Sequence, residues 1–500
     1  SWMGLKEALN ARHACNLAGI PTYISPEKAV KAFMHMVIYQ RVQALLQEIP
    51  PSLPFSTSPE IRAQCRTLIK GAKEQGRQTL THSETAQVLE AYGIPTAPSV
   101  YLANPDEALA RATEIPGTKA LKVVHEGNCR PYRYRKHPHK ISAGLLQDLE
   151  TPEQVAEGVR RLGDKVAEKF PEYAIREYCL QPMQRGKHSM QICAGITRDP
   201  VFGPLIVFGI GGYKVNVLAD RQVALPPLNM SLAADVVGRT HAASLIREHS
   251  ADPDRDIQHL CQMLVKLSQM ASDLGDLRGL EVNPLLLNRD GMVAVDFAMD
   301  LGTPSRFAIM PYPEELREWV TLKNGWKVEV RPIRAEDAHL ITTFHRQLSE
   351  ESIRFRYFHN KSNLTQRDLS ILSHINYDRQ MAFIAEHLSE DGSKEMLGVV
   401  RVWNDPDNIR TEFSIIIRDD LQGLGIGSLL MKKMIAYCTN IGTLEMIGKI
   451  MVDNHPMRTL MKHLGFKSRY NMEEQVIDAV LRLNEPESEW QRHRLESLPD

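Results

Sequence analysis

The stretch TEFSIIIRDDLQGLGIGSLLMKKMIAYC, residues 411–438, decides the fold of the C-terminal part of the chain. Its first seven residues are mostly apolar and predict a buried strand, whereas SLLMKKMIAYC is apolar on one helical face and predicts a helix. Between them, QGLGIG (422–427) forms a glycine-rich turn that opens the helix. Such a turn offers backbone N–H groups and the helix dipole to an anion, which we expect to be the pyrophosphate of a coenzyme.

Glu412 is a carboxylate on this mostly apolar strand. Alternation places Glu412, Ser414 and Ile416 on one face. A carboxylate that loses solvent there suits a general base that takes a proton from an ammonium group. A free lysine, with a pKa of about 10.4, is almost wholly protonated near neutral pH and needs such a base. The alternative is a solvent-facing or arginine-paired Glu412 with a structural role.

Residues 326–483 resemble the GNAT N-acetyltransferase superfamily. Besides Glu412 and the glycine turn, the likeness is carried by RPIRAEDAHLITTFHRQLSEESIRFRYF (331–358) and VDNHPMRTLMKHLGF (452–466). The resemblance implies that acetyl-CoA is the donor, that Glu412 is the base and that the first of these segments forms part of the acceptor site.

The resemblance also implies which residues bind the coenzyme. The strand end would hydrogen-bond the pantetheine amides, and the turn would hold the pyrophosphate. The residues expected to contact acetyl-CoA are Ile415, Ile416, Ile417, Gln422, Gly423, Leu424, Gly425, Ile426, Gly427, Ser428, Asn454 and Arg458. For Asn454 a simple helix N-cap is the alternative. Met461 departs from the family, because many relatives carry there a tyrosine that protonates the leaving thiolate, and methionine cannot donate a proton.

The composition is that of an ordinary globular chain, with 43% apolar and 24% charged residues and a net charge of −1. It gives no sign of nucleic-acid binding. The seven cysteines form no C-x-x-C pair, which fits a reducing cytoplasm better than disulfides or a zinc site. No stretch is apolar and long enough to predict a membrane span. We therefore expect a cytoplasmic protein.

The chain divides into several segments of the mixed α/β and α+β classes. Residues 1–48 read as the end of a CoA-ligase-like α/β domain, and their mid-domain start suggests a fragment of a longer protein. The segment 49–59 contains IPPSLPFSTSP and is a predicted linker. Residues 60–310 form a second domain, 311–325 a second linker and 326–485 the GNAT domain. The polar residues 486–500 are predicted to be disordered.

Residues 60–310 resemble the ATP-grasp part of NDP-forming acyl-CoA synthetases. The likeness is carried by ITRDPVFGPLIVFGIGGYKVNVLADRQVALPPLN (196–229) and RGLEVNPLLLNRDGMVAVDFAMD (278–300). It implies Mg-ATP or Mg-ADP as a ligand, and phosphate-binding lysine and glycine residues suit it. The expected nucleotide-binding residues are Lys122, His139, Lys140, Glu177, Gly211 and Gly212, and the expected Mg²⁺ ligands are Glu281, Asn283 and Asp296.

This second resemblance is imperfect at the positions where chemistry is expected. Gln191 and Asn216 stand where those synthetases usually have acidic residues. The basic stretch CRPYRYRKHPHK (129–140) precedes and includes the loop of His139, which could accept a phosphate or be merely solvated. The same stretch could instead contact the phosphates of CoA.

A synthetase-like region joined to a GNAT domain is the layout of bacterial Pat-type protein lysine acetyltransferases. That resemblance predicts acetylation of metabolic enzymes such as acetyl-CoA synthetase, with a regulatory ATP-grasp-like region and a homo-oligomeric assembly. The alternatives are an ADP-forming acyl-CoA synthetase with an appended GNAT domain, a catalytically dead GNAT sensor, and a GNAT enzyme that acts on a small amine. Residue chemistry alone reaches only an acyl-CoA-dependent amine acyltransferase.

Overall fold

The computed structural model describes residues 6–47, 57–125, 144–169, 175–184, 189–212, 220–288, 291–304, 306–359, 363–389 and 392–497. The chain forms two compact units. One comprises residues 53–311, and the other comprises residues 312–500 together with residues 1–52. The domain and linker boundaries given above stay predictions.

Two helices open the described chain, α1 (Lys6–Leu17) and α2 (Pro26–Gln47). The second begins with proline at its first turn, where the missing N–H costs no helical hydrogen bond. Although the sequence reads these residues as the end of a separate domain, contacts group them with the C-terminal unit.

The unit of residues 53–311 contains a four-stranded sheet in the order β1-β4-β2-β3. A box formed by Thr81 and Glu84 caps the helix that precedes the first strand. The elements up to the end of this sheet are α3 (Pro59–Glu74), α4 (His82–Ala91), β1 (Val100–Leu102), α5 (Pro105–Arg111), β2 (Lys119–His125), β3 (Leu145–Leu149), α6 (Pro152–Lys169) and β4 (Ile175–Pro182).

The second sheet of this unit has six strands, with β10-β8-β5-β6-β7 in order and β9 paired to β8. Its strands are rich in buried isoleucine, leucine and valine, and α9 packs on them. The remaining elements are β5 (Met190–Asp199), β6 (Gly203–Ile210), β7 (Arg221–Ala224), α7 (Met230–Gly238), α8 (His241–His249), α9 (Pro253–Asp273), β8 (Leu277–Asn288), β9 (Gly291–Ala294) and β10 (Phe297–Leu301).

The C-terminal unit is built on an eight-stranded sheet in the order β11-β12-β13-β14-β15-β16-β18-β17. Its strands are β11 (Glu318–Thr321), β12 (Lys327–Pro332), β13 (Gln380–Leu388), β14 (Lys394–Asn404), β15 (Arg410–Ile417), β16 (Glu445–Met451), β17 (Lys467–Asn471) and β18 (Val476–Arg482). Its helices are α10 (Ala338–Arg346), α11 (Glu350–Tyr357), α12 (Gln366–Ser373), α13 (Ile426–Asn440), α14 (His455–His463) and α15 (Glu489–Ser497).

Two apolar layers cover the faces of this sheet. One includes Phe383, Val400 and Met434 and lies under α13. The other includes Ile384, Phe344 and Leu340 and lies under α10. Neighbouring strands of the sheet pair antiparallel except β15 and β16, which run parallel.

The parallel pair β15–β16 separates soon after it forms. The register joins only Arg410–Glu412 to Glu445–Ile447. The ring of Phe413 then lies beside Gly448, where a Cβ would stand 2.4 Å from Phe413 Cε1. Because that distance is far below van der Waals contact, only a residue without a side chain admits the Phe413 ring at this point.

The C-terminal tail differs from its prediction. Residues 486–500 are predicted to be disordered, but the structure has a helix, α15, over Glu489–Ser497. The side chains of Ser488 and Gln491 satisfy backbone N–H groups at its start, and Arg494 lies 3.1 Å from the Asp407 carboxylate. The composition argument missed this cap, which gives a polar segment a helical start.

Replacing Gly448 with alanine should destabilise the β15–β16 region by about 1–3 kcal/mol, because the new methyl group overlaps the Phe413 ring. Hydrogen exchange of peptides from β15 and β16 measures this local stability. A matched cycle adds Phe413→Leu, whose smaller side chain should make Gly448→Ala less costly than it is in the parent. Equal destabilisation by Gly448→Ala with phenylalanine or leucine at position 413 would show that the Phe413 ring does not determine the need for glycine at position 448.

Candidate functional site

The glycine turn begins where β15 ends. Asp419–Leu421 form a single 3₁₀ turn after the strand, and α13 starts after Gly425. Gly423 and Gly425 have φ angles of 86° and 91°, which glycine adopts without strain. Gly425 is the N-cap and has no side chain to cap the helix, so the first N–H groups of α13 face outward from an uncapped end.

This turn gathers the predicted pyrophosphate-binding residues. Ile426 is buried and anchors the helix, whereas Gln422, Gly423 and Gly425 are exposed. A Cβ added at Gly423 or Gly425 would meet no atom within 4 Å, so the backbone of the turn is open to an approaching group. Leu424, Gly427 and Ser428 complete the turn and the first helical residues and are half-buried. The geometry fits an anion at a helix N-terminus.

The free edge of β15 lies beside this turn. Ile415, Ile416 and Ile417 pair with β14 on one side. Within the described residues, β16 does not pair with them on the other side, since the two strands separate after Glu412. The N–H and C=O groups on an unpaired strand edge are available to hydrogen-bond a ligand. The binding of pantetheine by these three residues stays a prediction.

Glu412 lies at the last paired position before the strands separate, opposite Trp403 on β14. Its side chain is exposed. This corrects the expectation of a desolvated carboxylate, because the strand is apolar but its outer face opens to solvent at this position. The carboxylate can therefore reach an incoming amine directly or through a water molecule.

The other residues predicted for the coenzyme have local partners. The Asn454 side chain accepts a hydrogen bond from Met457 N at 3.1 Å and caps α14, which is the alternative that the sequence left open. Arg458 Nη1 donates to the carbonyl of Val452 at 3.1 Å. Met461 is fully buried in the apolar layer under α13. It contributes packing at this position.

Asp419 links the turn to α11, the helix next to β15. Its carboxylate accepts hydrogen bonds from Ser349 N and Ser349 Oγ, both at 2.8 Å, and from Ser352 Oγ at 2.6 Å. Burial acts to raise the pKa of Asp419, but the hydrogen bonds from Ser352 and Ser349 outweigh it and lower the pKa. Asp419 thus stays ionised and holds the start of α11.

In the other unit, Lys122 lies at the centre of a polar cluster. Lys122 Nζ is 2.9 Å from His82 Nε2, 2.9 Å from the Val295 carbonyl and 3.2 Å from Asp296 Oδ1. His82 Nδ1 lies 2.7 Å from the Tyr101 hydroxyl. No local sequence pattern indicated His82 or Tyr101, because long-range packing brings them to Lys122.

The glycine pair of the same unit is fixed by close contacts. Gly211 N donates to the Gln191 carbonyl at 2.7 Å, and Gly212 N donates to Asn283 Oδ1 at 2.8 Å. A Cβ at Gly212 would stand 1.7 Å from Gln191 Oε1, and its φ is 69°. Glycine is therefore required here, and the backbone of Gly211 and Gly212 lies close to Asn283.

The three predicted Mg²⁺ ligands differ in how accessible their side-chain oxygens are to a cation. Asp296 and Glu281 have partly exposed carboxylates, which suit a hard cation. Asn283 is fully buried, and its amide oxygen already accepts the Gly212 N–H. Burial raises the pKa of Glu177, and Arg176 partly offsets this rise. The roles of these residues stay predictions. His139, Lys140 and Asn216 lie outside the described residues.

Two domain families match this chain. Residues 71–301 match the model of an ATP-grasp domain, and residues 327–467 match that of an acetyltransferase (GNAT) domain. The predicted fold, an ATP-grasp domain followed by a GNAT domain, is confirmed. The two matches also support the predicted ligand classes, acetyl-CoA for the second domain and a nucleotide for the first.

Individual relatives match one part each. Acetate–CoA ligase (ADP-forming) I of Archaeoglobus fulgidus is 27% identical over 301 residues, which cover 60% of this chain and 42% of the ligase. An acetyltransferase of Pseudomonas aeruginosa is 32% identical over 149 residues, 30% of this chain and 80% of that protein. The crystal structure of the GNAT domain of S. lividans PAT is 23% identical with a TM-score of 0.32, and the match covers 35% of this chain and 100% of that domain.

Within the described residues, every helix is too short or too polar to span a bilayer.

Gly425→Ala should weaken CoA binding about tenfold, since a positive φ costs a residue with a Cβ about 1–2 kcal/mol and the turn must relax. Isothermal titration of CoA measures the affinity. Gly442→Ala is the matched control, because Gly442 also has a positive φ of 80° and open space at its Cβ but lies at the other end of α13. Equal loss in both variants would mean that the turn does not bind CoA.

Lys122→Met should weaken ATP binding at least about tenfold, because a hydrogen bond to a charged group contributes about 1.5–3 kcal/mol. Equilibrium binding of a fluorescent ATP analogue measures the change. Lys70→Met removes a lysine whose side chain is 77% exposed on α3 and should leave the affinity unchanged. Unchanged affinity in Lys122→Met would remove Lys122 from the nucleotide site.

Proposed function

We propose that this chain is an acetyl-CoA-dependent protein lysine N-acetyltransferase of the Pat type with a regulatory ATP-grasp-like region. One observation carries the proposal. Glu412 stands where β15 and β16 separate, on the strand that leads directly into the uncapped helix start of the glycine turn. Base, free strand edge and anion site thus follow each other within sixteen residues, 412–427.

The chemistry is direct transfer. The lysine amine attacks the thioester carbonyl carbon, a C–N bond forms, and the carbonyl oxygen becomes an oxyanion that backbone N–H groups on the β15 edge stabilise. Glu412 accepts the proton of the ammonium, directly or through water. Collapse of the intermediate breaks the C–S bond, and CoA leaves as a thiolate. Because a thiol pKa is about 8.5, departure without a proton donor at Met461 is tolerable.

The substrate and the assembly belong to the same proposal. A metabolic enzyme such as acetyl-CoA synthetase is the proposed acceptor, in a cytoplasmic homo-oligomer without nucleic acid or membrane. The ATP-grasp-like region would sense acetyl-CoA or nucleotide or dock the protein substrate. The Pseudomonas relative, which is named an acetyltransferase, supports the acyl transfer.

An ADP-forming acyl-CoA synthetase with an appended GNAT domain is the second candidate. The Archaeoglobus relative, an ADP-forming acetate–CoA ligase, favours it, as does the Lys122 cluster. Gln191 counts against it, because its amide stands next to Gly212 where those synthetases usually have an acidic residue. Turnover that requires ATP and yields ADP would identify this candidate.

Glu412→Gln should reduce lysine acetylation about 10²–10⁴-fold, since an amide cannot accept the proton, while CoA binding stays intact. Release of CoA from acetyl-CoA is measured with acetyl-CoA synthetase as acceptor, with and without ATP, and the modified lysines are found by mass spectrometry.

Glu473→Gln is the matched control for this experiment. It removes an exposed carboxylate from the turn between β17 and β18, outside the predicted acceptor segment 331–358, and should leave the rate unchanged. ATP-dependent turnover that survives Glu412→Gln would favour the synthetase, and parallel loss of CoA binding and turnover would make Glu412 a structural residue.

A further inference from the structure

Two arginines lie near Glu412 on the face of the sheet that α11 covers. Arg401 is on β14, directly opposite Ser414 on β15, and is only 4% exposed. Arg356 is on α11 and is half-buried. Residues directly opposite on antiparallel strands share a face, so Arg401, Ser414 and Glu412 all lie on the side covered by α11.

Neither guanidinium forms an ion pair in the described part of the chain, although the nearby charge of Glu412 favours the charged form of Arg356. Arg401 forms no hydrogen bond or ion pair there, and Arg356 contacts the ring of Tyr357, with its Cζ 5.0 Å from the centroid. Arg331, on β12 of the same sheet, shows how a buried arginine is usually satisfied. It is 3% exposed and binds Asp337 at 2.7 Å and Glu386 at 2.5 Å.

The two arginines therefore place two positive charges close together without an ion-paired anion between them. Burial, and then the charge of Arg356, lower the pKa of Arg401 to about 9, so that the group stays charged at neutral pH. Burial also lowers the pKa of Arg356, which Tyr357 and Glu412 partly offset. A buried charge without a counter-ion is costly, and an anion that binds between the two arginines removes that cost.

Ser414 supplies a second and independent sign of a ligand. Its Oγ is buried and has no hydrogen-bond partner within the described residues. Buried hydroxyls almost always have a partner. Together with the two guanidinium groups, this hydroxyl forms a cluster of donors, called the polar recess below, that can donate several hydrogen bonds to one anion.

Glu412 does not fill this recess. Its side chain is exposed and forms no ion pair with Arg356 or Arg401 among the described residues. It stands diagonally from Arg401 across β14 and β15, at a Cα separation of about 7–8 Å. An anion in the recess would therefore sit one side-chain length from the amine that Glu412 deprotonates.

We propose that Arg356, Arg401 and Ser414 bind a carboxylate that the acceptor carries next to its reactive amine. The inference rests on the proposed acyl transfer at Glu412 and specifies its acceptor. The planar guanidinium forks match a carboxylate in bidentate fashion. The carboxylate can come from an acidic residue beside the target lysine or from a small amine that is itself an acid. In both cases the recess selects the acceptor, and Glu412 performs the proton transfer.

The test compares two peptides that differ only in whether glutamate or glutamine adjoins a single lysine. We expect the kcat/KM of the parent protein to be at least about tenfold higher for the glutamate peptide, because hydrogen bonds to charged groups are strong. Arg401→Met and Arg356→Met should each bring this ratio close to one, chiefly by lowering kcat/KM for the glutamate peptide. Arg482→Met, which replaces an exposed arginine at the end of β18 and outside the predicted acceptor segment 331–358, should keep the parent ratio.

Further measurements separate the possible failures. Circular dichroism reports folding, and a loss of CoA affinity in folded Arg356→Met and Arg401→Met alike would assign the arginines to the coenzyme and overturn the inference. Equal rates for the two peptides in the parent would overturn it while leaving lysine acetylation standing. If neither peptide reacts, β-alanine and propylamine are compared. Preference for β-alanine that is lost in Arg401→Met would support the recess and reject the protein acceptor, and no preference would reject the recess.

Discussion

The separation of β15 from β16 is the constraint on which the C-terminal domain depends. Three paired positions join the strands up to Glu412, and the Phe413 ring then occupies the space that Gly448 leaves. A sheet paired to its end would satisfy its own backbone and leave no edge for a ligand. Because the strands separate here, one short segment carries a carboxylate, then an open strand edge, then an anion-binding turn. This is the order in which the thioester, the pantetheine and the pyrophosphate of acetyl-CoA would lie along it.

The two domains differ in whether a buried cationic side chain has an internal ion-pair partner. In the ATP-grasp domain, Lys122 is satisfied internally by Asp296 and the Val295 carbonyl. A phosphate that binds Lys122 must therefore compete with a carboxylate. In the GNAT domain, Arg401 has no such internal partner among the described residues, so an anion that arrives there displaces nothing. The first arrangement weakens the binding of an added anion and the second favours it, which is the difference that the sensor and substrate-selection roles proposed above would use.

Local patterns predicted the C-terminal fold well, because strand, turn and helix follow each other along residues 411–438. Glu412 and the glycine turn could be found in this way, but the exposure of Glu412 could not, since it depends on which helix covers the strand. The His82–Lys122 contact joins residues far apart in the sequence and left no local pattern. Arg401 did leave one, a single charge within the apolar run LGVVRVW, yet only the structure shows that it lacks a carboxylate partner within the described residues.

Asp419 belongs to both halves of the GNAT site. It sits in the turn that leads to the glycines, and its carboxylate fixes Ser349 and Ser352 at the start of the helix that carries Arg356. A change in the turn that alters these hydrogen bonds would reach the helix that carries Arg356 through one carboxylate. Coupling of this kind is reciprocal, so the factor by which one ligand changes the affinity of the other is the same in both directions.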